Sequence, residues 1–515
     1  MDKIIILDFG SQTTQLIARR IRELGVFCEI YAGESIITKE LLNNTKGIIL
    51  SGSPFSVYEK GAPKPDRNVF LTGLPVLGIC YGFQQMTVAH NGRVEQLNTK
   101  EYGKAPVSIL KNSELLNGVP DGFVSWMSHG DSIDTLGESF DLTAISENHP
   151  AVAINKNLNL YGLQFHPEVS HCDFGVEIIS NFIFRICKSD KSWNMNIFMD
   201  QKSVEIRKKV GNNKVLLLIS GGVDSSVVAG MLLKILPPQN IYLMYIDTGL
   251  MRKNETAEIE VYLKSLGAEN IQIVSASNIF LTKLKGVSDP EKKREIIGDL
   301  FIKIQETELP ENLSDNYFLA QGTLYTDLIE SGKGVGVKAK VIKSHHNVRS
   351  PLVEAKRNSG LIIEPLDKLF KDEVRLLGLS LGIDKRIISR HPFPGPGLAV
   401  RIISDITSRK VKILQEADAL YIAELKKRGL YDKIWQAFCV LLPVKSVGVT
   451  GDAREYGYVL ALRAITSVDG MTADVYPFNT TDLLEISSLI TNNIPEIGRV
   501  VYDISSKPPA TIEWE

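Results

Sequence analysis

The sequence predicts an α/β protein: two consecutive domains on largely parallel sheets, residues 1–190 and 191–390, then a smaller α+β domain over 391–515. Three observations carry this expectation. Short apolar runs suited to buried strands alternate with helical patterns from Lys3 to about Lys188, the rhythm of repeated βα units. That rhythm restarts after a polar stretch at Lys188–Gln201, which reads as a linker. A Pro/Gly-dense stretch, His391-Pro-Phe-Pro-Gly-Pro-Gly397, then interrupts it and marks the second boundary.

In the first domain Ile4–Leu7, Gly47–Leu50 and Val76–Ile79 are strand candidates, and Thr13–Leu24 reads as an amphipathic helix. In the second, strand Val215–Ile219, helix Ser225–Leu236, strand Ile241–Ile246, helix Glu255–Leu266 and strand Ile271–Val274 make a βαβαβ unit. Such a unit places a ligand crevice at its strand C-termini. The last domain mixes helices (Val411–Arg428, Leu483–Asn492) with strands (Ser446–Val449, Val459–Ala464, Val500–Ile504).

With 515 residues, 44% hydrophobic and 23% charged, each domain can bury its own core. A net charge of −2 without a long Lys/Arg run argues against nucleic-acid binding by bulk electrostatics. No apolar run approaches the roughly 18 residues of a membrane span, and Ile4–Leu7 is too short for a signal core. Cys28, Cys80, Cys172, Cys187 and Cys439 contain no CxxC pair, which disfavours a disulfide framework or zinc cage and points to the reducing cytoplasm.

Val76-Leu77-Gly78-Ile79-Cys80-Tyr81-Gly82 reads as strand, tight turn and helix start. Glycines flanking a nucleophile permit the strained turn that lifts its side chain above a sheet, and a helix N-terminus favours thiolate. Downstream, strand Tyr161–Phe165 runs into His166-Pro167-Glu168. Residues two apart on extended backbone point the same way, so His166 and Glu168 can serve one thiol as base and orienter. His129, His149 and His171 are other candidates, but none has this carboxylate context. The two segments together resemble the class I glutamine amidotransferases. The resemblance implies a flavodoxin-like domain in which Cys80 attacks glutamine, His166 shuttles protons and Glu168 orients the ring. It also implies an oxyanion hole from the Tyr81 N–H and the loop Ser51-Gly52-Ser53-Pro54. Ser53 stands where the family has glycine, so strain is expected there if that backbone needs a positive φ.

Ser220-Gly221-Gly222-Val223-Asp224-Ser225-Ser226 lies between a strand and a helix, where backbone N–H groups, hydroxyls and the helix N-terminus favour an anion. Asp224 would repel bare phosphate and makes sense beside Mg²⁺. The run resembles the ATP pyrophosphatases, which implies an adenine-nucleotide hydrolase-like fold, ATP bound on all seven residues, and Mg²⁺. Asp8-Phe9-Gly10 lacks the companions of a kinase metal motif and reads as a strand-end turn; Gly332–Gly336 reads as a mobile loop.

A glutaminase ahead of an adenylating domain implies an amide-donor ligase. His391–Leu398, Ser446–Val449, Gly451-Asp452 and Lys507–Glu515 resemble signature segments of the GMP synthetases, in order across essentially the whole chain. The resemblance implies glutamine, ATP and xanthosine monophosphate as substrates, and a homodimer through the last domain. It further implies substrate contacts at Arg252, Lys371, Gln436, Lys507, Ile512 and Glu513, and a metal or ATP role for Asp327. Pro508-Pro509 is expected to stiffen the tail after Lys507. Thr248, Thr326 and Arg349-Ser350-Pro351 depart from the family pattern in loop and lid detail.

Overall fold

The computed structural model describes residues 1–147, 149–310, 313, 316–330, 351–450, 453–467 and 472–515, with side chains left out at 97–100, 330, 450 and 453. Gly332–Gly336, Ser344–Ser350 and Gly451-Asp452 lie outside the described residues. The chain divides into two compact units. Residues Met1–Phe198 with the helix Tyr325–Glu330 form one; Met199–Leu324 with the described residues from Pro351 to Glu515 form the other.

Among its described residues the first unit holds nine strands: β1 (Lys3–Asp8), β2 (Phe27–Ala32), β3 (Thr45–Leu50), β4 (Val76–Ile79), β5 (Arg93–Ile109), β6 (Phe123–Thr135), β7 (Asp141–Ser146), β8 (His149–Asn155) and β9 (Leu160–Leu163). Their order is β2-β1-β3-β4-β9-β8-β7-β5-β6. Pairing is parallel from β2 to β9 and antiparallel beyond, so a parallel core carries an antiparallel wing that the strand-helix rhythm does not announce. The helix after β1 runs from Thr14 to Glu23; it buries Ile17, Ala18 and Ile21 on one face and ends on Arg20 and Arg22, suited to the helix dipole. Asp8 closes the turn between them, its Oδ1 accepting the Gly10 N–H at 2.9 Å and the Thr14 hydroxyl at 2.7 Å. Asp8-Phe9-Gly10 is therefore a strand-end turn. The expected linker is only partly one, because a helix begins within it at Met195 and continues to Val210.

In the second unit β10 (Val215–Ile219), β11 (Ile241–Asp247), β12 (Asn270–Ser275), β13 (Phe318–Ala320) and β14 (Ile362–Ile363) form a wholly parallel sheet of order β12-β11-β10-β13-β14. The order reverses at β10, which puts a crevice at its C-terminal end. A further sheet comprises β15 (Gln436–Thr450), β16 (Ala453–Thr466), β17 (Asp474–Val475) and β18 (Ile497–Tyr502). Helices Ser408–Lys427 and Thr480–Asn493 accompany it. One buried apolar cluster runs from Leu216 and Met244 through Leu398, Ile402 and Leu414 to Leu460 and Ile490.

Candidate active site

In the first unit β4 and β9 are parallel neighbours, with Ile79 opposite Leu163. Cys80 follows β4 directly and donates its N–H to the Leu163 carbonyl at 2.7 Å. Its backbone has φ 51° and ψ −106°, outside the helical and extended regions, at the cap of helix Tyr81–Ala89. The flanking glycines are required for space. A Cβ at Gly78 would lie 2.6 Å from the Phe83 nitrogen, and one at Gly82 would lie 2.4 Å from the Leu50 carbonyl oxygen. Tyr81, the first helical residue, has an N–H that the helix does not use.

His166 lies just past β9 and donates its N–H to the Trp126 carbonyl on β6 at 3.0 Å, so the antiparallel wing helps position it. Its Nδ1 is 2.7 Å from Oε1 of Glu168, which is fully buried, while Oε2 of Glu168 has no hydrogen-bond partner among the described residues. Burial alone would depress the His166 pKa. The Glu168 carboxylate and the neighbouring Cys80 sulfur outweigh burial and hold it well above the ordinary histidine value. Cys80 Sγ also lies 3.8 Å from Nε2 of Gln164 and 3.9 Å from the Ser128 carbonyl.

The loop Ser51–Pro54 flanks this group, with a Cβ on Gly52 reaching 3.1 Å from the His166 ring. Ser53 is not among the residues of positive φ, and its hydroxyl donates to the Phe9 carbonyl at 2.8 Å; the expected strain is absent. His129 does have a carboxylate neighbour, against expectation. Nε2 lies 3.1 Å from Glu101, its cross-strand partner, and burial pushes its pKa down to about 4. The sequence missed the pair because β5 and β6 form a ribbon no motif marks. His171 instead packs its ring against Trp126.

In the second unit Ser220–Ser226 leaves β10 at the point where strand order reverses. Gly221 has φ 77°, open to glycine, and Gly222 caps helix Val223–Ile235. Ser225 and Ser226 donate their hydroxyls to the Gly222 carbonyl at 3.2 and 2.9 Å, and the Gly222 N–H donates to the Ser220 hydroxyl at 3.3 Å. Lys371, first residue of helix Lys371–Ser380, reaches both Asp224 oxygens at 2.6 and 2.7 Å. Two expected residues 147 positions apart are thus joined. One carboxylate at a glycine- and serine-rich helix N-terminus is a donor set that suits Mg²⁺ held mainly by a ligand's phosphates. Among the described residues no group of three or more His, Cys, Asp or Glu side chains could hold a metal on its own. Asp327 sits on helix Tyr325–Glu330, in the first unit.

The other expected contacts are all in the second unit; Arg252 and Gln436 meet the His391–Gly397 segment and Glu513 joins them through Gln436, whereas Lys507 and Ile512 have other neighbours. The Arg252 guanidinium lies 4.7 Å from the Phe393 ring centroid and 3.8 Å from Asp418, and its Nε and Nη2 are buried without hydrogen-bond partners. Gln436 Nε2 donates to the Pro392 carbonyl at 3.2 Å and to Glu513 at 2.8 Å. Ile512 packs on the Phe438, Val440 and Ala461 cluster. Lys507 pairs its backbone with Ala473 in a β-bridge. The Lys507–Pro508 and Pro508–Pro509 peptides are cis. Sequence reasoning passed over Phe393 and Arg401; both stand in or beside a motif read only as a boundary and signature.

Comparison with known proteins assigns these parts. Profiles for class I glutamine amidotransferases, NAD synthase and the GMP synthase C-terminal domain match residues 5–186, 199–295 and 423–514. The glutamine-hydrolysing GMP synthase of Aquifex aeolicus (strain VF5) is 49% identical over 513 residues, spanning 99% of both chains. The chain belongs to the glutamine-hydrolysing GMP synthase family. The Brachyspira hyodysenteriae member (strain ATCC 49526 / WA1) is 50% identical over 519 residues, 100% of this chain and 99% of that one. As a GMP synthase the chain is a ligase, with an amidotransferase portion and an ATP pyrophosphatase portion. Among the described residues no helix is long and apolar enough to cross a membrane.

Proposed function

We propose that Cys80, His166 and Glu168 release ammonia from glutamine, and that the second unit uses ATP to adenylate xanthosine monophosphate, which ammonia then converts to GMP. The carrying observation is the His166 imidazole held at 2.7 Å by a fully buried carboxylate beside a thiol on a strained elbow. In this reading His166 takes the Cys80 proton, the sulfur attacks the glutamine carboxamide carbon, and the protonated ring delivers its proton to departing ammonia. The Tyr81 N–H and the Gly52–Ser53 loop stabilise the oxyanion. Water activated by His166 then hydrolyses the thioester to glutamate.

In the second unit, Ser220–Ser226 cradles the ATP phosphates with backbone N–H groups and hydroxyls. Asp224 would hold Mg²⁺, which would neutralise charge on the phosphates. Lys371 orients the Asp224 carboxylate through both of its oxygens and offers its ammonium to the departing pyrophosphate. A xanthine oxygen attacks the α-phosphorus, pyrophosphate leaves, and ammonia displaces AMP. Arg252, Gln436, Lys507, Ile512 and Glu513 hold xanthosine monophosphate.

We place this chemistry in the cytoplasm, in keeping with five free, buried cysteines, and in a homodimer through the last sheet. Val444, Val447, Val449 and Tyr456 on β15 and β16 are exposed, a surface suited to a second copy. The deciding experiment is Cys80→Ala, assayed with glutamine and with ammonium salts. Loss of the glutamine route alone is expected; loss of both in a folded variant overturns the assignment.

A further inference from the structure

We infer that Arg401 is a positioning residue for xanthosine monophosphate, acting through the carboxylate of Glu513; this rests on the reading of Glu513 as a substrate contact. Arg401 ends the short helical turn Gly397–Arg401 and is fully buried. Its Nε and Nη2 donate to the two oxygens of Glu513 at 3.0 and 2.8 Å, a fork-to-carboxylate pair across 112 residues. The guanidinium is flanked by two rings, Phe438 at 4.1 Å and Phe393 at 5.0 Å. Phe393 in turn carries the Arg252 guanidinium at 4.7 Å, so one ring links two cations of the substrate group.

Stability alone is a poor reason for this arrangement. An ion pair whose guanidinium is wholly buried and whose carboxylate is partly exposed recovers little more than the desolvation it incurs, and apolar residues of similar size serve a core as well. A fork between two rings supplies direction, because both carboxylate oxygens are fixed in one plane. Glu513 Oε1 accepts from Arg401 and Gln436, while among the described residues Oε2 accepts from Arg401 alone. The open acceptor position on Oε2 is therefore aimed by Arg401, and suits a hydroxyl or ring N–H donor of the nucleotide. Arg401 Nη1, buried without a partner among the described residues, is a further donor.

The test uses the full-length protein in ammonium-supported synthesis, so that the readout bypasses glutamine hydrolysis. Arg401→Lys keeps the charge and loses the fork. It is expected to raise KM for xanthosine monophosphate about tenfold, the equivalent of roughly 1.4 kcal/mol, with kcat at saturation and KM for ATP unchanged. Glu513→Gln should raise the same KM, and the double variant should be no worse than Glu513→Gln alone. An unchanged KM in Glu513→Gln overturns the reading of Glu513, and with it this inference. A raised KM in Glu513→Gln with none in Arg401→Lys, or full additivity in the double variant, overturns the role of Arg401 alone. If Arg401→Lys does not fold, Phe438→Leu removes one flanking ring and leaves the ion pair. A raised KM there that vanishes on the Glu513→Gln background supports the inference, and an unchanged KM overturns it.

Discussion

Glu168→Gln removes a charge while keeping the shape, and its effect can be bounded from the geometry. Glu168 is fully buried, makes a 2.7 Å bond to His166 Nδ1, and leaves its other oxygen without a hydrogen-bond partner among the described residues. Burying a carboxylate costs several kcal/mol, a cost offset here chiefly by its pairing with an imidazolium. A hydrogen bond to a charged group contributes about 1.5–3 kcal/mol, against about 0.5–1.5 for a neutral one. The loss of roughly 1–1.5 kcal/mol slows glutamine hydrolysis about fivefold to fifteenfold if the amide oxygen still accepts the Nδ1 proton. If the amide turns its NH₂ toward Nδ1, the ring protonates on the wrong nitrogen and the loss approaches about ten thousandfold. The direction of pH dependence follows too. Burial favours the neutral ring and Glu168 opposes it, so the variant's His166 pKa falls. The assay compares glutamine-supported with ammonium-supported GMP formation across pH, expecting a loss confined to the glutamine route. Undiminished glutamine turnover would refute the reasoning, since an uncharged neighbour would then serve His166 equally well.

Asp224→Asn should abolish both nitrogen routes and ATP–pyrophosphate exchange, because it removes the carboxylate that pairs with Lys371; retained exchange would reduce Asp224 to a loop cap. Lys507→Ala, losing one charge-assisted hydrogen bond of about 1.5–3 kcal/mol, should weaken xanthosine monophosphate binding about tenfold to 150-fold at fixed ATP. Equal affinity by titration would reassign it to structure. His166 holds its proton more tightly folded than unfolded, so the interaction stabilises the fold below the ordinary histidine pKa of about 6.5 and fades as pH rises through the folded value. Glu168→Gln should therefore lower Tm more at acidic than at alkaline pH, and a uniform shift in a thermal scan would contradict this.

The elbow was legible because its signal is local: Gly78 and Gly82 flank Cys80, and the steric reason for each is a neighbour a few residues or one strand away. His166 and Glu168 were legible because they are two apart in sequence, although β9 ends at Leu163 and the chain turns at Pro167-Glu168 instead of running extended. The pairings that complete the second unit were not. Lys371–Asp224 and Arg401–Glu513 span 147 and 112 residues, and no periodicity encodes such a meeting. The resemblance flagged three of those four residues without their partners. Arg401 was missed because an arginine after an apolar run looks like an ordinary surface cation, while the fold buries it completely. The antiparallel wing was unseen although Asn117-Gly118 and Pro120-Asp121-Gly122 mark the turn between β5 and β6, because β5 and β6 lack a clean apolar alternation or a motif. The Ser53 concern dissolved because that loop never needs a positive φ.

The backbone of Cys80 has a consequence for how such a chain would age. At φ 51° and ψ −106° the residue occupies a conformation most side chains avoid, at a cost of order 1–3 kcal/mol. Glycine would relieve it at once. A lineage supplied with free ammonia, and so released from glutamine hydrolysis, would find the nucleophile position among its easiest routes to a sturdier fold. Decay would begin at the catalytic atom itself, and the neighbouring glycines, which serve packing, would outlast the cysteine they once served.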